Sequence, residues 1–165
     1  MTPRQIQLAD DGLIPNSPLP LLVYAAALTD GADRAGRFEA LFAENGWSRC
    51  WRNGIYAFRH YHSSAHEVLG IAAGTARVEF GGRGGVELSL RPGDAVLIPA
   101  GVSHYNLGAS ADLLVIGAYP DGSEREDLCH DTEQDRTAAL PRISSVSCPS
   151  MDPVLGEGGL AQAWT

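Results

Sequence analysis

Between Trp47 and Tyr119 the chain is written in short apolar runs separated by glycine or proline. The runs at 55–62, 67–73, 76–80, 86–90, 95–98, 102–107 and 113–118 have the length and side-chain content of strands. Many short strands at this spacing predict an antiparallel sandwich or barrel. Gly81-Gly82-Arg83-Gly84-Gly85 joins two of them. A phosphate-cradling glycine loop opens a helix, whereas here a strand follows, so the segment reads as a hairpin turn.

The flanks differ from this block. Residues 1–20 contain Pro3, Pro15, Pro18 and Pro20 and form an arm that cannot be helical throughout. Residues 21–24 read as a first strand docked on the main body. From Asp33 the period becomes helical, with Phe38, Leu41 and Phe42 on one face, Asp33 as the N-cap and Gly46 as the stop. Residues 120–135 alternate acidic side chains with Arg125 and read as a solvated loop. The tail from Pro141 onward is expected to lie over the body and to tuck Leu160 or Trp164 into a groove. The expected organisation is one domain: an arm and helix over 1–46, a barrel over 47–120, and an acidic loop and tail over 121–165.

A length of 165 residues suits a single domain, and a chain of about 150 residues buries about 70% of its unfolded surface without needing disulfides. The 12 basic residues are all arginine, against 20 acidic ones, for a net charge of −8. Without lysine there is no Schiff-base chemistry and no P-loop lysine. Without a basic cluster, nucleic acid is not an expected partner. Cys50, Cys129 and Cys148 form no CxxC pair, and Cys50 and Cys129 read as core fillers. The start Met1-Thr2-Pro3-Arg4 lacks a signal pattern, and the apolar stretch at 19–28 is too short to span a bilayer. A cytoplasmic protein without membrane contact is expected.

The chemistry lies in the histidines. In a strand over 55–62, Tyr56, Phe58, His60 and His62 alternate onto one face, with His60 and His62 about 7 Å apart along it. Glu67 opens the next strand, and His104 offers a third imidazole from a later one, with Asn106 on its face. Three neutral nitrogens and a carboxylate oxygen suit one divalent ion: Fe, Mn, Ni, Co or Zn. His66 alternates away from Glu67 and stays outside the set if the strand is regular; a distorted turn would bring it in. Tyr56 is either a barrel-filling side chain or the catalytic candidate, as a proton or hydrogen-bond donor to a substrate. Arg49, Arg52 and Arg59 read as surface or inter-strand pairing partners, with a substrate carboxylate as the alternative; Arg59 alternates away from the imidazoles.

These residues fall into two patterns. Gly54-IYAFR-His60-Tyr61-His62-SSAH-Glu67-VLGIAA-Gly74 meets every position of G(X)5HXH(X)3–4E(X)6G. Gly93-DAVLI-Pro99-Ala100-Gly101-VS-His104 meets G(X)5PXG(X)2H(X)3N up to its last position, where Gly108 stands and Asn106 comes two residues early. The chain thus resembles the cupin superfamily, and the run WRNGIYAFRHYHSSAHEVLG, with IPNSPLPLLVY before it and GAYPDG after it, resembles the YjlB-like bacterial cupins. The resemblance implies an all-β jelly-roll barrel with one or two short peripheral helices, metal ligands at His60, His62, Glu67 and His104, and a homodimer. Gly93 and Gly101 are expected at positive φ in turns that aim those ligands.

A divalent ion held by three imidazoles and one carboxylate keeps a formal charge of +1, which favours a small anionic or enolate-forming metabolite. The expected function is a metal-dependent enzyme of dioxygenase or isomerase type. The alternative is a non-catalytic cupin that binds or senses a small molecule.

Overall fold

The computed structural model describes residues 1–164. Most of the expected strands stand where the apolar runs end and begin. They are β1 (Arg4–Ile6), β2 (Leu21–Tyr24), β3 (Arg49–Asn53), β4 (His60–Tyr61), β5 (Glu67–Ala73), β6 (Ala76–Phe80), β7 (Val86–Leu90), β8 (Ala95–Ile98), β9 (His104–Ala109), β10 (Leu114–Tyr119) and β11 (Cys129–His130), followed by a small hairpin of β12 (Met151–Asp152) and β13 (Gly156–Glu157). Two helices, α1 (Arg34–Glu44) and α2 (Glu133–Ser145), accompany them.

The strands build two facing antiparallel sheets, ordered β1-β2-β8-β5-β10-β3 and β11-β4-β9-β6-β7. This is a jelly-roll-type all-β barrel. Alternation along β5 and β8 explains why those runs are apolar throughout. Leu69, Ile71, Val96 and Ile98 face Val78 and Phe80 in the space between the sheets. Val68, Ala95 and Leu97 face outward, where Phe38 and Phe42 of α1, Trp47, Leu160 and Trp164 cover them. A strand buried on both faces reads as a continuous hydrophobic run. Trp164 is 4% exposed, and its indole N–H donates to the Pro20 carbonyl at 2.9 Å.

Asp33 caps α1 through a hydrogen bond accepted from the Gly36 N–H, and Gly46 follows the helix at φ 79°. The glycine-rich hairpin joins β6 to β7, with Phe80 opposite Val86. Gly101 has φ 95°, and a Cβ there would collide with the Asn16 carbonyl. Its N–H donates to the His62 carbonyl at 2.8 Å and ties the two sequence patterns together.

Three expectations are corrected. The strand over 55–62 shrinks to His60–Tyr61. The backbone at 55–56 is taken instead by Asn106, whose N–H donates to the Tyr56 carbonyl at 3.0 Å and whose side-chain amide donates to that of Ile55 at 3.3 Å. Tyr56 is consequently 54% exposed and does not fill the barrel. The acidic loop and the start of the tail contain α2, capped by Thr132 and running through Pro141. Among the residues of α2 only Ala139 is buried, so the helix has no apolar stripe for a sequence pattern to reveal.

Candidate metal centre

Three strands place the four side chains of the site: β4 and its end carry His60 and His62, β5 carries Glu67 and β9 carries His104. His60 ends the irregular segment and pairs across to His104 at the start of β9, which brings their ring centroids to 4.0 Å. His62 lies just beyond β4. Glu67 opens β5 on the inward parity of Leu69 and Ile71, and is 2% exposed. Ring nitrogens of His60, His62 and His104 lie within 4.8 Å of one another. Glu67 Oε2 is 3.3 Å from His62 Nε2 and 3.2 Å from His104 Nε2. The structure therefore brings together all four side chains singled out in the sequence.

The tautomers are set from behind. The carbonyl of Phe58 accepts from His60 Nδ1 at 3.0 Å, and the carbonyl of Asp127 accepts from His62 Nδ1. A neutral imidazole that donates from Nδ1 has its lone pair on Nε2, directed away from that carbonyl. Asp127 is fixed in turn. Its carboxylate accepts from the Ser63 N–H at 2.6 Å and from the Ser63 hydroxyl, and Arg142 pairs with it at 3.3 Å. The acidic stretch at 120–135 is thus more than a solvated loop: at Asp127 it buttresses His62.

Electrostatics separates the histidines. Burial lowers the His60 pKa to about 3, with the neighbouring His104 adding to the effect. Burial also opposes charge on His62, but the Glu67 carboxylate and the Asp127 carbonyl overcome it and lift that pKa to about 9. Burial works to raise Glu67, yet the charge of His62 and the contacts with His104 and His62 hold it well below the usual carboxylate range. Without an ion, these shifts favour a charged His62 facing a charged Glu67 at 3.3 Å, although the contact is not an aligned hydrogen bond.

The donor set passes a direct test of fit to a metal ion. Glu67 Oε2 is buried and makes no aligned hydrogen bond, although it sits against two imidazoles. Two ligand atoms about 2.1 Å from one ion and at right angles are about 3.0 Å apart. The spacings around Glu67 Oε2 match that edge, and an ion would satisfy the orphaned oxygen.

His66 is on the other side of β5. Its Nδ1 accepts from the Ala100 N–H at 2.9 Å, and its ring lies 4.7 Å from that of Trp164 in the outer layer. The parity argument for its placement away from Glu67 therefore agrees with the structure. Arg59 is likewise turned away, donating to Glu79 at 2.6 and 2.9 Å. Burial pushes the Cys129 thiol up to about 11, in keeping with an inert filler.

A cavity of about 460 Å³ opens over the imidazoles. Sequence reasoning missed two of its walls, Trp51 and Tyr119, which lie on the paired strands β3 and β10. Trp51 sits opposite Gly117, and a Cβ at Gly117 would fall inside the indole; only glycine lets the ring lie flat there. Tyr119 places its ring edge-on to His62 at 5.8 Å, and burial, then Glu67, raise its phenol above the ordinary value. No local pattern marks either residue, since each acquires its place through a cross-strand neighbour.

Residues 52–116 match the family described as the cupin domain. The uncharacterized protein YjlB of Bacillus subtilis is 40% identical over 149 residues, which is 90% of this chain and 87% of that protein. Among solved structures, acireductone dioxygenase from Bacillus anthracis, with a cadmium ion in its active centre, is similar at 16% identity and TM-score 0.42, over 65% of this chain and 82% of that one. Procruciferin, an 11S globulin from Brassica napus, is similar at 14% identity and TM-score 0.41, over 75% of this chain and 31% of that one. With a relative of that identity along nearly its whole length and a cupin domain over the strands that carry the histidines, the chain belongs to the cupin family and is YjlB-like within it.

Proposed function

We propose that the protein binds one divalent transition-metal ion through His60, His62, Glu67 and His104 and acts on a small metabolite that meets the site through anionic oxygen atoms. The observation that carries this reading is Glu67 Oε2, buried without an aligned hydrogen bond against the imidazoles of His62 and His104, beside the cluster those two rings form with His60 beneath an open cavity. Fe, Mn, Ni, Co and Zn all accept such a donor set. When bound, the ion supplies Lewis-acid activation of an enolisable substrate or, as iron, reaction with dioxygen, which are isomerase and dioxygenase chemistries. The chain's own residues do the positioning: the Phe58 and Asp127 carbonyls orient His60 and His62, and Trp51 and Tyr119 wall the cavity against water. Metal analysis of protein purified without chelator or affinity metal tests the reading. About one ion per chain is expected, with most of it lost in His62→Ala and in His104→Ala while the fold survives. Unchanged content in both variants refutes the ligand assignment.

One observation favours a binding or sensing cupin as the second reading. The further carboxylates at the cavity are engaged, Glu126 by Arg49 at 3.4 Å and Asp127 by Ser63 and Arg142, so among the described residues no free acid–base pair stands beside the imidazoles. Turnover of candidate carboxylic acids and enols under air with Fe(II) separates the two readings. We further propose a homodimer, supported by β1, which is the outermost strand of its sheet and has one unpaired edge. Light scattering that gave 17.5 kDa at high concentration would exclude it.

A further inference from the structure

A second cavity, of about 430 Å³, lies where the outward-facing residues of β6, β7 and β9 meet. It sits at the end of β9 opposite to His104, beside Gly108 and Ala109. Alternation brings its polar groups to one face. Ala76 and Leu90 are the last pair of the β6–β7 ladder and point into the core. Arg77 and Ser89, paired one step back, therefore point outward. Thr75 and Arg91, just past the end of the ladder, share that parity, and all four are exposed on the cavity wall.

This wall reverses the charge of the protein. The backbone N–H of Arg91 donates to Asp94 at 3.1 Å, but its guanidinium meets no carboxylate among the described residues. Arg77 pairs with Glu87 at 3.2 Å with the two side chains 58% and 56% exposed, and a pair so open to water holds a guanidinium weakly. Among the described residues no carboxylate lines the cavity, whereas Glu126 and Asp127 line the one over the imidazoles. In a chain of net charge −8, two arginines without an acid form a local site of positive potential.

Gly108 is the floor. It pairs with Arg77 from the other side, its φ is not positive, and a Cβ there would meet nothing within 4 Å. Neither the backbone nor a neighbour requires glycine at this position, and its effect is to keep the cleft open beside the arginines. Ser110 fixes the rim. Its hydroxyl accepts from the Thr75 N–H at 2.8 Å, and its own N–H donates to the Thr75 carbonyl at 2.9 Å.

We propose that this cleft binds phosphate, as the free ion or as the terminal group of a small metabolite. The guanidinium groups of Arg77 and Arg91 and the hydroxyls of Thr75 and Ser89 present donors to an ion whose outer oxygens all accept, and the planar fork of arginine matches phosphate geometry. A carboxylate, with two oxygens, would leave donors unused. None of these residues is a metal ligand or a sequence neighbour of one, so the site stands independently of the metal reading.

The test is an amide NMR titration of the full-length, Zn(II)-treated protein with inorganic phosphate, glycerol 3-phosphate, acetate or chloride. Saturable shifts are expected at the Thr75, Arg77, Ser89 and Gly108 amides with both phosphates, at an affinity about ten-fold or more above that for acetate and chloride. Tighter binding of glycerol 3-phosphate assigns the site to a phosphorylated metabolite, and equal or weaker binding assigns it to the free ion. Arg91→Gln and Gly108→Asn should each weaken phosphate about ten-fold, one by removing a cation and the other by filling the floor, with melting temperature and metal content near the wild-type values. Arg83→Gln, the same charge change at the turn of the β6–β7 hairpin, should bind phosphate as the wild type does. Acetate or chloride binding as tightly as phosphate overturns the inference, as do shifts confined to the amides of the metal centre. Arg83→Gln weakening phosphate as much as Arg91→Gln also overturns it, because the attraction would then be to overall charge and not to this cleft.

Discussion

The Ala100 N–H donates to His66 Nδ1 at 2.9 Å, so the histidine immediately before Glu67 is an acceptor bound to the second sequence pattern. A ring that accepts at Nδ1 is neutral and carries its proton on Nε2. Burial favours the same state and lowers the His66 pKa to about 4. Glu67 turns to the opposite face of β5, toward His62 and His104. The alternation that starts at β5 thus turns His66 and Glu67 to opposite faces, one toward Trp164 and the other toward His62 and His104.

His66→Ala should therefore leave metal content near the wild-type value while costing stability. The substitution strands the buried Ala100 N–H, a loss of about 1–3 kcal/mol, and opens space against Trp164. Thermal unfolding read beside metal analysis checks both halves. Metal loss equal to that of His62→Ala would make His66 a ligand after all.

The metal-free protein should be most stable near pH 6.5, the ordinary histidine value. His60 and His66 are lowered to about 3 and about 4 in the fold, so below pH 6.5 the unfolded chain takes up protons that the folded one refuses, and stability falls with pH. His62 is raised to about 9, so its contribution is full below pH 6.5 and is lost as pH rises through 9, because the folded chain then holds a proton the unfolded one has released. Denaturant midpoints from pH 5 to pH 9 on chelator-treated protein should pass through a maximum. A steady rise across that range would show that the His62–Glu67 pair does not form.

What could be read from the sequence follows from how local each cause is. Burial on both faces makes β5 and β8 apolar throughout, and Gly101 needs its positive φ whatever surrounds it. The meeting of His60, His62, Glu67 and His104 was legible because spacing within strands fixes parity, and the two patterns fix which strands face each other. The strand predicted at 55–62 failed because Asn106, half the barrel away in sequence, takes the backbone bonds that a partner strand would need. Helix α2 was hidden by Pro141 and by burying little beyond Ala139. Trp51 depends on Gly117, and the role of Asp127 depends on Ser63, so neither had a signal along the chain.

Asp127→Ala should weaken metal binding without removing a ligand. The Ser63 residue it holds is fully buried, so its N–H would lose its acceptor at a cost of about 1–3 kcal/mol. The Asp127 carbonyl behind His62 would then be held less firmly. Loss of a group that orients a metal-binding histidine typically weakens affinity by about 10–100-fold. Competition with a chromophoric chelator measures it, and Asp127→Asn, which keeps one acceptor oxygen, should fall between the two. Wild-type affinity in Asp127→Ala would mean that the loop does not position His62.

Metal uptake should release protons, with a sign set by the same pair. His62 keeps its proton up to about pH 9 in the metal-free fold, while binding through nitrogen requires the neutral ring. Between pH 6.5 and pH 9 each ion bound should therefore expel about one proton, from His62, because His60 is already neutral there and Glu67 already ionised. Apparent affinity should rise with pH across that window and level off above 9, and the gap in melting temperature between loaded and metal-free protein should narrow as pH falls from 9 toward 5. Calorimetry in buffers of different ionisation enthalpy counts the protons directly. Zero protons released at pH 7.5, together with a melting gap that stays constant from pH 9 to pH 5, would mean that the bound ion is held by groups other than these histidines.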